Sequence, residues 1–181
     1  MTLAATDSTA AAIAPMLRSW TPPLAWGAAL IVAGIGAATL IADASTPLAR
    51  VTGALLVLLG LTGLGWGAVS LARGGAVAPR VALAGILASI VSLGVALVAT
   101  HGRASLIGAA AATALLLVTA TLVSAERRHP SAPASSVRMI PLLLAAALVA
   151  IVVTPALGAV QDAALLQDDG TVIVVDPHQG H

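Results

Sequence analysis

The sequence contains no cysteine, which excludes disulfides, thiolate metal sites and thiol nucleophiles. Charge is almost as scarce. Only 8% of the 181 residues are Asp, Glu, Lys or Arg, where a soluble domain carries about 25%. A soluble helical bundle of this length has too much surface to cover with so few charges. The charges present avoid five apolar runs, 24–42, 51–72, 81–100, 104–125 and 139–159, none of which holds an Asp, Glu, Lys, Arg or His. Ionisable groups within a membrane mark proton relays, ion sites and counter-ions. Their absence from all five runs removes the usual signs of a pump, a coupled transporter or an intramembrane enzyme.

Each run has the length a bilayer crossing needs, about 20 residues at 1.5 Å of rise. The expected fold is all-α and integral to the membrane. It comprises an N-terminal tail 1–23, a five-helix transmembrane bundle 24–159 and a short C-terminal tail 160–181. Lys, Phe, Tyr and Asn, whose codons are rich in A and T, are absent, while Ala, Gly, Arg and Pro abound. That usage points to a high-GC bacterium, and it makes every basic residue an arginine. The pI near 9.1 rests on a net charge of only +1. No basic stripe interleaved with aromatics is present, so nucleic acid is excluded as a partner. Residues 1–23 also lack the basic-then-apolar pattern of a signal peptide.

Arginine fixes the expected orientation. Arg18, Arg73, Arg80, Arg127, Arg128 and Arg138 fall on one side of the five spans, and only Arg50 and Arg103 on the other. The positive-inside rule places the first side, with the N-terminus, in the cytoplasm and the C-terminal tail outside. Trp20, Trp26 and Trp66 lie towards the same cytoplasmic side, where indole rings favour the interface. Pro22-Pro23 precedes the first span, and a mobile tail with a short surface helix over Leu3–Leu17 is expected before it. Pro155 is expected to end or kink the last span. Around it, Thr154, Ala156 and Gly158 have the small-residue spacing of a signal-peptidase site, against the plainer reading of an ordinary span end.

Small residues are frequent in the spans. Gly53, Gly60, Gly63 and Gly67 lie in the second, Gly34-x-x-x-Ala38 in the first and Gly85-x-x-x-Ser89 in the third. Small side chains let helix backbones approach closely in lipid. Gly60, Gly63 and Gly67 are therefore candidates for docking another membrane subunit, with packing inside the bundle as the alternative. Hydroxyls such as Thr39, Thr62, Ser89, Thr113, Thr119 and Thr121 are expected to bond back to their own helices.

The C-terminal tail carries the most distinctive chemistry. Asp169-Gly170 favours a two-residue turn, and Thr171, Val172, Ile173, Val174 and Val175 are β-prone, so the tail favours a β-hairpin. A lone hairpin is marginal in water, which makes this segment a candidate for strand addition to a partner. The chain ends Asp176-Pro-His178-Gln-Gly-His181. Imidazole and carboxylate groups ligate copper(II) or zinc. Asp176, His178 and His181, with His101 from an outer loop, form the candidate metal set.

The Ala/Leu/Gly-rich spans, the Arg-rich last cytoplasmic loop and the Thr154-Pro-Ala-Leu157 run into a His-ended outer tail resemble small actinobacterial multipass membrane proteins, mostly of unassigned function. Some proteins of that type are accessory subunits of respiratory complexes. The resemblance covers the layout and the last thirty or so residues of the chain and brings no catalytic motif with it. It implies residence in a bacterial plasma membrane, lipid as the surroundings and other membrane subunits as partners. The expected function is that of a non-catalytic accessory subunit with no cofactor. Extracytoplasmic copper or zinc binding is the alternative.

Overall fold

The computed structural model describes residues 3–42, 46–100, 105–128 and 139–165, with side chains described from Trp20 onward. It contains five helices: α1 (Leu3–Ala42), α2 (Pro47–Ala72), α3 (Pro79–Ala99), α4 (Leu106–Arg128) and α5 (Met139–Leu165). Each includes a stretch long and apolar enough to cross a bilayer, Trp20–Ile41 in α1 and Met139–Ala164 in α5 among them. The chain is an all-α multipass membrane protein, as its apolar runs imply.

Local chemistry sets the helix ends. Thr46 accepts a hydrogen bond from the Ala49 N–H at 3.4 Å, and Pro47 follows in the first turn, where a missing N–H costs little. Ser105 does the same for α4, accepting from the Gly108 N–H at 3.1 Å. After α2, Gly74 takes a φ of 68°, a conformation open to glycine without steric cost.

Pro22, Pro23 and Pro155 lie inside helices rather than at their ends. The first helix runs unbroken through Pro22 and Pro23, and its stretch long and apolar enough to cross a bilayer reaches back to Trp20. The last helix likewise runs through Pro155 to Leu165, past the expected end at 159. A proline frees only the carbonyl four residues back, and a helix already held by neighbours in lipid tolerates that loss. Pro22 and Pro23 are buried against the bundle, whereas Pro155 is exposed on an outer face. Instead of a separate surface helix, residues 3–19 extend α1, which at 40 residues is about 60 Å long.

The first helix is the centre of the bundle. It packs against α2, α4 and α5, while α3 bridges α2 and α4 and barely meets α1. The α1–α2 seam is closest because glycine lines it. A methyl group on Gly36 would lie 2.7 Å from the Gly53 carbonyl oxygen, and one on Gly60 would lie 2.7 Å from that of Ala29. Backbone meets backbone there, so dispersion contacts hold the helices where hydrophobic burial supplies little. On another face of α1, Gly27 receives Val149 and Val153 of α5 and Gly34 receives Leu157. The second and fifth helices bring no pair of Cα atoms within 8 Å of each other. The arc around α1 is therefore open on one side, where Leu30, Ala37 and Ile41 stay exposed.

Candidate functional site

The α2–α3 connection, residues 73–78, is held tightly by polar contacts. The Gly75 N–H donates to the Ser70 carbonyl at 3.1 Å, and the Val77 N–H to the Ser70 hydroxyl oxygen at 3.4 Å. Trp66 donates from its indole Nε1 to the Val77 carbonyl at 2.6 Å. The Ala76 N–H donates to Glu126 Oε2 at 3.0 Å, and the Thr21 hydroxyl donates to Glu126 Oε1 at the same distance. One carboxylate in the last turn of α4 thus joins α1, α4 and this loop. Its single sequence signal is that it is the chain's only glutamate, set beside Arg127 and Arg128.

All three tryptophans gather at this end. Trp26 lies against Gly67 and donates to the Leu64 carbonyl at 3.1 Å. Trp66 spans from α2 to the loop. The buried Trp20 Nε1 has no hydrogen-bond partner among the described residues.

Above the loop lies a cavity of about 170 Å³ between α1, α2, α3 and α4. Ala25, Ala29 and Val32 of α1 and Leu116 and Thr119 of α4 form its buried floor. Leu59, Thr62, Gly63 and Trp66 of α2 form one wall, and Val81, Ala82, Gly85, Ile86 and Ser89 of α3 the other. Of its lining residues, Thr62 on α2 and Val81 on α3 are exposed, so the cavity reaches the outer surface of the bundle between these two helices.

The lining offers little polarity. Thr62 donates to the Leu59 carbonyl at 3.0 Å, Ser89 to Gly85 at 2.9 Å and Thr119 to Leu115 at 2.8 Å. Their protons are engaged within their own helices, as are those of Thr39, Thr113 and Thr121. The cavity therefore presents no free hydroxyl donor from these three residues. Nothing in the apolar periodicity of α2 or α3 signals the cavity, which arises because α3 stands away from α1.

The candidate glycines divide by position. Gly60 is buried against Ala29 and Ala33, Gly67 is buried against Trp26, and Gly63 sits at the cavity wall 3.2 Å, by an added methyl, from the Ala29 side chain. The first helix occupies this face, so Gly60 and Gly67 are in internal packing. His101, Asp176, His178, His181 and the Thr171–Val175 segment lie outside the described residues, as do residues 129–138 between α4 and α5 and the expected hairpin turn.

Fold and site together define a class: a multipass membrane protein with five helices among the described residues and an apolar cavity beside a polar tie. Comparison with protein-family models, with curated proteins and with solved structures yields no match to this chain.

Proposed function

We propose that this chain is a non-catalytic accessory subunit of a larger complex in a bacterial plasma membrane, with its N-terminus in the cytoplasm. The observation that carries the reading is the open arc around α1. Leu30, Ala37 and Ile41, spaced seven and four residues apart, fall on the α1 face between its contacts with α2 and those with α5. One transmembrane helix from another subunit would cover that face, with Ala37 allowing close approach. The six-to-two arginine split supports the orientation. The β-prone Thr171–Val175 segment supplies a second contact on the opposite side of the membrane.

The test is association in mild detergent. Native membranes solubilised gently should yield this chain with at least one other membrane protein. Ala37→Trp should release the partner while leaving helical content unchanged, and Ile173→Pro should weaken the association by removing a ladder N–H. Purification of the wild-type chain alone at every detergent strength, with both variants behaving identically, would show the reading to be wrong.

A further inference from the structure

We propose that the cavity between α2 and α3 is a binding site for an anionic phospholipid of the leaflet facing the α2–α3 loop. Part of one acyl chain lies in the cavity and the phosphate lies at its mouth.

Four features lead there. The first is access. The connection 73–78 is tied down by Ser70, Trp66 and Glu126 at the end of the bundle, and the exposed rim residues Thr62 and Val81 face the lipid side. An occupant therefore enters from the bilayer rather than from water. The second is shape. Along α3 the lining runs from Val81 to Ser89, about 12 Å, parallel to the helices as an acyl chain is. The third is polarity. A cavity near 170 Å³ with this lining resembles the apolar cavities of about 150 Å³ that stay dry and accept hydrocarbon. The Thr62, Ser89 and Thr119 hydroxyl protons are already donated to their own helices, so a polar ligand would lose its hydration with little return.

The fourth is charge at this end of the bundle. Arg80 immediately precedes the lining residue Val81, and Arg73 caps α2 across the short loop, both exposed. Arginine near the headgroup level snorkels and holds phosphate by paired N–H bonds. The carboxylate at this end, Glu126, has one oxygen bonded to Thr21 and the other to Ala76, and Arg127 and Arg128 follow it. The local balance is thus cationic, which favours phosphatidylglycerol over a zwitterionic lipid.

Gly85 provides the means of testing the cavity. Apart from its chain neighbours and the adjacent backbone of its own helix, no atom lies within 4 Å of where its β-carbon would be, and it lines the wall. Leucine there grows into the cavity without clashing at its root. Gly94, on the same helix, is exposed and equally unencumbered, so Gly94→Leu is the matched control.

Full-length protein in mild detergent would be mixed with phosphatidylglycerol or phosphatidylcholine of identical chains, and bound lipid read by native mass spectrometry. The wild type should favour phosphatidylglycerol by about tenfold, a gap of about 1.4 kcal/mol. Gly85→Leu should lose that binding and Gly94→Leu keep it. Arg73→Ala with Arg80→Ala should bring the two lipids level. Should Gly85→Leu fail to fold, Val81→Trp narrows the mouth from an exposed position and should have the same effect on binding. Undiminished binding in the folded cavity variant, equal binding of both lipids by the wild type, or retention of an uncharged isoprenoid in their place would each overturn the proposal.

Discussion

Glu126 accepts from the Thr21 hydroxyl and from the Ala76 N–H, so one side chain serves three parts of the chain. Hydrogen bonds to a charged group contribute about 1.5–3 kcal/mol each when sheltered. Glu126 is half-buried, and water recovers part of that on its loss. Glu126→Ala should destabilise the bundle by about 2 kcal/mol. Glu126→Gln keeps one acceptor oxygen and should cost about half as much. Denaturation in detergent followed by circular dichroism would check both, and equal stability of all three proteins would remove the tie from the account. The tryptophans offer a sharper contrast. Trp66→Phe loses the 2.6 Å bond to the Val77 carbonyl and should cost about 1 kcal/mol. Trp20→Phe removes a buried N–H with no partner among the described residues and should leave stability level or slightly raised. A larger loss at Trp20 than at Trp66 in the same melts would contradict this assignment.

Among the elements, α1 and α2 form the strongest pair, and glycine spacing explains it. Gly53, Gly60 and Gly67 recur every seven residues along one face of α2, and all three are buried against α1. Gly60→Leu would drive a side chain into the Ala29 carbonyl and the Ala33 N–H, 2.7 and 2.9 Å from the new β-carbon. Backbone cannot yield as a side chain does, so the variant should lose about 3 kcal/mol or fail to assemble. Gly65→Leu, exposed and free of neighbours within 4 Å, should be tolerated. The absence of native cysteine allows a direct test of the seam. Ala29→Cys with Gly63→Cys brings two β-carbons to 3.2 Å, a few tenths of an ångström short of disulfide geometry. Oxidation should remove both thiols from maleimide labelling without forming dimers, and persistent labelling would place the helices elsewhere.

This pairing shows how much the sequence carried. The five spans follow from length and lack of charge, and the Thr46 and Ser105 caps are readable as hydroxyls before helical runs. Hydroxyl back-bonding is likewise legible, because lipid offers those groups no other partner. What stayed hidden is the direction each face points. In water the buried face of a helix is apolar and the exposed face polar, but in lipid both are apolar, so periodicity does not separate them. Gly60 facing α1 and Gly85 facing the cavity read alike in sequence. The continuous helices through Pro22-Pro23 and Pro155 were hidden for a related reason, since packing rather than local propensity decides whether a proline ends a helix.

At the scale of the whole molecule, the structure makes the arginine argument geometric. Through Glu126, the α2–α3 loop, the end of α4 and the Thr21 region of α1 meet at one end of the bundle. Arg73, Arg80, Arg127 and Arg128 therefore occupy a common end rather than merely alternating along the chain. On the proposed orientation this end faces the cytoplasm, where the positive-inside rule and the negative surface potential favour it. With the proposed orientation, five crossings would put the α1–α2 and α3–α4 connections and the residues after α5 on the opposite side. Single cysteines introduced by Ala44→Cys and Gly170→Cys should react with a membrane-impermeant maleimide in intact spheroplasts. Ala132→Cys, between α4 and α5, should react only after the membrane is permeabilised. The reverse pattern would invert the bundle in the membrane. It would also move the lipid site to the outer leaflet while leaving the geometry of the cavity, and the effect of Gly85→Leu on lipid binding, unchanged.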